Sequence, residues 1–136
     1  MNILITGGAG GIGSTLGYNL YTKCGHKIII VDNLYSGNKN NLVINDTIFS
    51  RFYTADIRDT NKLIDIIQEQ NIECIIHMAA ITELGDCEEN KVECISVNVL
   101  GTTSVLEAAR ITGVRKVIFA STSAVYENSL EGFKLP

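Results

Sequence analysis

A chain of 136 residues is one domain's worth, 1–136, and its 46% hydrophobic and 19% charged composition is that of a globular protein able to bury about two-thirds of its unfolded surface. A net charge of −4 with no basic cluster excludes nucleic acid and anionic membrane surfaces as partners. No apolar run approaches the roughly 18 residues that span a bilayer, and no targeting segment precedes the first strand-like run, so a cytoplasmic protein is expected.

In chain order, Ile3, Leu4 and Ile5 form a short apolar run over residues 2–6, a first strand that ends in a glycine cluster. Ile12, Leu16 and Leu20 follow at i, i+4 and i+8, one face of a helix, with Gly25 as its stop. Residues 28–31 are apolar without alternation, as a strand covered on both faces should be. Residues 32–41 are rich in Asn, Ser and Gly and predict a loop. A third strand is expected within 48–55, around Phe52 and Tyr53, and Asp59 can cap a helix bearing Leu63, Ile64 and Ile67. Residues 74–76 make a fourth strand. Val92, Ile95, Val99, Leu106 and Ala109 recur at helical spacing and predict one long helix that Gly113 stops. Residues 117–119 are the fifth strand.

Strands separated by helices imply parallel pairing through right-handed crossovers. The expected fold is α/β: a Rossmann-type, doubly wound parallel sheet in a three-layer α/β/α arrangement, strand order 3-2-1-4-5. The four cysteines, Cys24, Cys74, Cys87 and Cys94, form no C-x-x-C pair and have no histidine at ligand spacing, so four reduced thiols and no metal are expected.

The glycine cluster carries the strongest chemical signal. Gly7, Gly10 and Gly13 give G-x-x-G-x-x-G between a strand and a helix, at the start of a βαβ unit. Gly7 turns the chain off the strand, Gly10 leaves room for a pyrophosphate at the backbone, and Gly13 lets the helix lie close to the sheet. The N–H groups opening the helix, at Gly11, Ile12 and Gly13, then face the phosphates. No Gly-Lys-Ser/Thr follows, so this is not a P-loop. Asp32 ends the second strand 19 residues after Gly13. A carboxylate there can accept both hydroxyls of an adenosine ribose and repels a 2′-phosphate, which favours NAD over NADP.

Six segments in this order resemble the NAD-dependent epimerase/dehydratase family, the extended short-chain dehydrogenases/reductases similar to UDP-glucose 4-epimerase. They are Thr6 to Gly13; Asp32-Asn33-Leu34 with Ser36-Gly37; Ala55-Asp56-Ile57-Arg58-Asp59; His77-Met78-Ala79-Ala80; Asn98-Val99-Leu100-Gly101-Thr102; and Ser121-Thr122-Ser123-Ala124-Val125-Tyr126. The resemblance implies that Asp32 and Asn33 hold the adenosine side. Asp56 would bond the adenine amino group, with the Ile57 N–H beside it, and Ala79 and Ala80 would let the nicotinamide-side ribose approach. Asn98 would bond backbone near the nicotinamide, His77 would be structural, and Thr122 would be the catalytic hydroxyl that bonds the sugar oxygen during hydride transfer. A nucleotide-sugar substrate is implied, with epimerisation favoured over dehydration because Ser123 and Ala124 stand where dehydratases carry an acid pair.

Some positions depart from the family pattern. Gly11 replaces an aromatic residue, and Glu127 follows Val125-Tyr126 in place of glycine. The family's Tyr-x-x-x-Lys pair is not found downstream of Thr122; the Tyr35–Lys39 spacing lies on the adenosine side and is a decoy. The expectation is a truncated Rossmann domain, the NAD-binding portion of an epimerase-like protein whose substrate domain is absent. The alternative is a non-catalytic NAD-binding module, an inactive paralogue or half of a split protein. Self-association or a homo-oligomer is expected, because a sheet ending near residue 120 leaves an edge and apolar helix faces open.

Overall fold

The computed structural model describes residues 1–44 and 46–122. Five parallel strands form the main sheet: β1 (Asn2–Thr6), β2 (Lys27–Asp32), β5 (Ser50–Thr54), β6 (Cys74–His77) and β7 (Lys116–Phe119). Their spatial order is β5-β2-β1-β6-β7, which in chain order of the sheet's strands is 3-2-1-4-5. A small antiparallel hairpin, β3 (Val43–Ile44) and β4 (Thr47–Ile48), precedes β5. The helices are α1 (Gly11–Cys24), α2 (Thr60–Gln70), α3 (Leu84–Glu89), α4 (Lys91–Ile95) and α5 (Thr102–Thr112). A π-helical stretch, Ser96–Gly101, joins α4 to α5.

The uninterrupted apolar runs of the central strands follow from cover on both faces. Leu4, Ile29, Val31 and Ile75 point to the layer that holds Leu63, Ile66 and Ile67 of α2 and Val105, Ala108 and Ala109 of α5. Ile3, Ile5, Ile28, Ile30 and Ile76 point to the other layer, against Leu16 and Leu20 of α1, Leu42 of a short 3-10 helix (Lys39–Leu42) and Phe49. Alternate residues of one strand thus feed two cores. Thr6 is in register with Val31 on one side and His77 on the other, so the central strands end together at one edge. In such folds that carboxyl edge is where ligands bind.

Helix starts and stops obey local chemistry. The Asp59 carboxylate caps α2 by accepting from the Lys62 N–H at 3.0 Å. Gly25 and Gly113 end α1 and α5 in the left-handed conformation. Two expectations about buried faces need correction. On α1, Ile12 is exposed and the buried surface is Gly13, Ser14 and Gly17, because the helix lies too close to the sheet for large side chains in its first turns. Beyond residue 90, Val92, Ile95, Val99 and Leu106 are exposed, and the buried face is Val97, Gly101, Val105 and Ala108, with Ala109 beside it. The single helix predicted from Val92 to Gly113 runs continuously through α4, the π-helical stretch and α5, and the π-helical stretch shifts its phase part-way. α3 precedes it as a separate turn, divided from α4 at the non-helical residue Asn90 (φ −134°).

The break at Asn90 changes the cysteines too. On a continuous helix, residues seven apart are separated by about 10.5 Å along the axis. Here the Cα atoms of Cys87 and Cys94 are 5.2 Å apart and a disulfide joins them. The expectation of four reduced thiols is therefore corrected: Cys24 and Cys74 are free, Cys87 and Cys94 are paired.

Candidate cofactor site

At the carboxyl edge of β1, β2 and β6 lies a cleft of about 260 Å³, lined on one side by Gly7, Gly10, Gly11, Ile12 and Gly13. Gly7 has φ +67°, and a Cβ there would meet the Ala79 backbone at 2.7 Å. This position thus requires glycine twice, for its left-handed turn and for its close approach to the segment after β6. A Cβ on Gly13 would lie 2.6 Å from the Gly7 carbonyl, so α1 can start against the strand exit only because residue 13 has no side chain. The first intrahelical bond runs from Ser14 N–H to the Gly10 carbonyl at 3.0 Å. The N–H groups of Gly11, Ile12 and Gly13 come before it and stay available at the positive end of the helix dipole.

Asp32 is 93% buried, at the end of β2, and also lines the cleft. One carboxylate oxygen accepts the Ala9 N–H at 2.9 Å and the other the Leu34 N–H at 2.8 Å. A carboxylate offers about four acceptor sites, so each oxygen keeps one for a ligand hydroxyl. Its hold on Ala9 ties the loop after β2 to the glycine turn. The Asn38 N–H and the Asn41 side chain reinforce that tie by donating to the Ala9 carbonyl at 3.0 and 2.8 Å.

Of the other residues singled out in the sequence, Asn33, Ile57, Ala79 and Ala80 line the cleft. Asp56 does not; its carboxylate is engaged by the guanidinium of Arg58 at 2.7 and 2.9 Å, while its neighbours Ala55 and Ile57 form the wall. That guanidinium holds the Asp56 carboxyl below the usual carboxylate range. Arg58 also bonds Glu93 at 2.8 Å, and Glu93 itself lines the cleft. Asn98 stands back from the cleft: its side chain accepts the Ile81 N–H at 2.8 Å and donates to the Ile81 carbonyl at 2.9 Å, fixing the backbone of a residue that lines it. Thr122 is exposed beyond β7, on the same sheet edge but outside the cleft lining. The Val125-Tyr126 motif lies outside the described residues.

His77 is buried at the end of β6, between two threonines. Thr102 donates to the Asn98 carbonyl at 2.7 Å, so its oxygen accepts from His77 Nε2 at 3.0 Å. The Thr6 oxygen meets the Met78 and Ala79 N–H groups at 3.2 and 3.3 Å, and its own proton goes to His77 Nδ1 at 2.6 Å. Both ring nitrogens are satisfied in the neutral state, and burial lowers the imidazole pKa to about 4.

The cleft also contains residues that sequence reasoning did not single out as site residues. Tyr35 lines it and its hydroxyl donates to Asp86 of α3 at 3.1 Å, linking the adenosine-side loop to the first turn beyond β6. Glu93 and Val97 reach it from the helices after that loop. No local pattern marks either one; the break at Asn90 alone brings their stretch to the edge.

The family model for the NAD-dependent epimerase/dehydratase family matches residues 3–134. This chain belongs to that family. It is 33% identical over 129 residues to a UDP-glucose 4-epimerase of Klebsiella pneumoniae, covering 93% of this chain and 92% of that one. A putative UDP-glucose 4-epimerase of Methanocaldococcus jannaschii is 43% identical over 125 residues. This chain spans only 39% of that relative's length. The crystal structure of the Stenotrophomonas maltophila UDP-glucose 4-epimerase, with bound NAD and a formylated UDP-arabinopyranose, superposes with a TM-score of 0.86 at 33% identity, over 93% of this chain and 38% of that one. No helix among the described residues is long and apolar enough to cross a membrane, and they contain no cluster of three or more metal-ligating side chains.

Proposed function

We propose that this chain binds NAD in the cleft at the carboxyl edge of the sheet and forms the cofactor-binding portion of a nucleotide-sugar epimerase. The observation that carries this reading is the joining of two ligand-binding features by one hydrogen bond. The open N–H groups of the glycine turn and the buried carboxylate of Asp32 meet through Ala9 N–H, at 2.9 Å. The turn would take the pyrophosphate, Asp32 the adenosine ribose hydroxyls with Asn33 beside it, and Ala79 and Ala80 the nicotinamide-side ribose. Bound NAD supplies a hydride acceptor. Thr122, at the same edge, would hydrogen-bond the sugar oxygen whose proton leaves as the carbon is oxidised. Asp56 would serve the adenine side by fixing Arg58 and Glu93. Relatives crystallised with NAD and a UDP-sugar support the substrate class.

The deciding measurement is calorimetric titration of NAD and NADP at matched salt. A single carboxylate at the ribose should favour NAD by well over tenfold, since a 2′-phosphate would approach a buried carboxylate that makes no ion pair among the described residues. Equal affinities would remove Asp32 from the site. Asp32→Ala should weaken NAD binding by about ten- to a hundredfold, the loss of one or two charge-assisted hydrogen bonds.

A further inference from the structure

Ile81 and Thr82 line the cleft; the Ile81 side chain packs against the core on the α2 and α5 side, and its backbone is held by a short set of polar contacts. Asn98 grips both backbone groups of Ile81. The Cys87 sulfur lies 3.7 Å from the Ile81 carbonyl, and the Cys94 sulfur 3.5 Å from the Asn98 side-chain nitrogen. The Cys87–Cys94 bond therefore closes a ring of contacts around Ile81. Cys94 also neighbours Glu93, which lines the cleft and bonds Arg58.

Helix α3 has little else to keep it in place. It is 6 residues long and contains no buried residue, whereas α4 runs on without a break into the π-helical stretch and α5. A helix as short as α3 does not hold itself in water. Among the described residues, the side chains of α3 are tied to the rest of the molecule by the disulfide to α4, the Cys87–Ile81 contact and the exposed Tyr35–Asp86 bond. Both cysteines are half-buried, within reach of a small thiol, whereas Cys74 is buried.

We propose that Cys87 and Cys94 are a redox-responsive thiol pair that sets the NAD affinity of the cleft. Closed, the bond braces the Ile81–Thr82 wall and Glu93 in the binding arrangement; open, α3 is released from α4 and the wall loses that brace. The exchange partner is a low-molecular-weight disulfide. One protein thiolate attacks it, forms a mixed disulfide and releases one small thiolate. The second protein thiolate then displaces the other. Two protein thiols lose two electrons and two protons, and the small disulfide leaves as two thiols; an excess of thiol reverses the reaction. A wall already in its bound geometry removes an ordering cost from binding, so the oxidised chain should bind NAD about three- to tenfold more tightly.

This inference rests on the NAD reading above, and the experiment separates the two. Protein carrying Cys24→Ser is equilibrated in glutathione buffers of graded redox ratio, trapped by alkylation and mapped by mass spectrometry. Cys87 and Cys94 should titrate together while Cys74 stays reduced. The oxidised and reduced forms are then titrated with NAD and compared by hydrogen exchange over residues 81–98. Tighter NAD binding and stronger protection in the oxidised form support the pair as a switch. Thiols at 87 and 94 that stay alkylatable at every ratio overturn it, as does equal NAD affinity in the two forms. Should neither form bind NAD, the functional reading falls, and hydrogen exchange judges the clamp alone: unchanged protection between the two forms refutes it. Cys87→Ser/Cys94→Ser should match the reduced chain and ignore glutathione; if that variant does not fold, the oxidised and reduced wild-type chains supply the same comparison.

Discussion

Asp32 and His77 are buried ionisable side chains at the edge where the central strands end, and they behave differently because their partners differ. Asp32 meets only N–H donors, so its charge is matched and acceptor capacity remains for a ligand. His77 meets two hydroxyls whose directions are set by the backbone, so it is held neutral. Its folded pKa of about 4 lies below the ordinary 6.5, so the unfolded chain takes up a proton first as pH falls. The His77 contribution is therefore fully present above pH 6.5 and is lost between pH 6.5 and 4, amounting to about 3 kcal/mol at the lower end. Denaturant unfolding at stepped pH should show that slope, and His77→Asn should flatten it. An unchanged slope in the variant would mean that other groups carry the acid sensitivity. Asp56 and Glu107, whose pKa values are lowered by arginine partners, act in a separate and more acidic window, where stability falls as their carboxylates protonate.

Among the elements, the turn from β1 into α1 separates two uses of glycine that look alike in sequence. A Cβ on Gly10 meets only the Gly7 carbonyl, at 3.3 Å, whereas one on Gly13 strikes the backbone of Gly7 and Gly8 at 2.6 and 2.8 Å. Gly10→Val should therefore fold with stability within about 1–2 kcal/mol of the parent yet fail to bind NAD, because its side chain fills phosphate space. Gly13→Val should lose stability by about 3 kcal/mol or more, since α1 must lift from the sheet. Thermal unfolding and NAD titration of both variants check the pair. Equal stability losses would contradict the division of roles. The same logic governs Gly101, which packs against the Ile57 side chain and lets the π-helical stretch approach the segment between β5 and α2. On α1 the fully buried positions are Gly13, Ser14 and Gly17, so a periodicity built on large apolar residues placed Leu16 and Leu20 correctly and misplaced Ile12; beyond residue 90 it took Val92, Ile95, Val99 and Leu106, which are exposed, and among its positions there only Ala109 is buried.

For the whole molecule, the large apolar side chains left outside form a band. Leu84, Val92, Ile95, Val99, Leu100 and Leu106 are all more than half exposed along α3 to α5, and Phe119 is 58% exposed on the edge strand β7. An exposed band of this kind and an unpaired strand edge both favour association. The isolated chain should show a light-scattering mass above the monomer at tens of micromolar. Val99→Ser with Leu106→Ser should lower that mass while changing stability little, because both side chains already face solvent. A clean monomer over that range would show that the band is tolerated in water.

Hydrophobic runs, helix caps and the glycine turn are local features, and they determined the strand order and the α/β class, and singled out the glycine turn and Asp32, from sequence alone. The glycine turn and Asp32 lie within one βαβ unit, and the strand order follows from successive right-handed crossovers, so few alternatives remain. The rest was decided by packing at distance. The Asn90 break, which no strong local breaker announces, brought Cys87 to Cys94 and carried Glu93 and Val97 to the cleft. The Arg58 guanidinium turned Asp56 to a supporting place, and the choice of which face of residues 92–109 is buried fell to the space available over α2. Side-chain type alone does not encode these outcomes, because each depends on the volume and partners that another segment supplies.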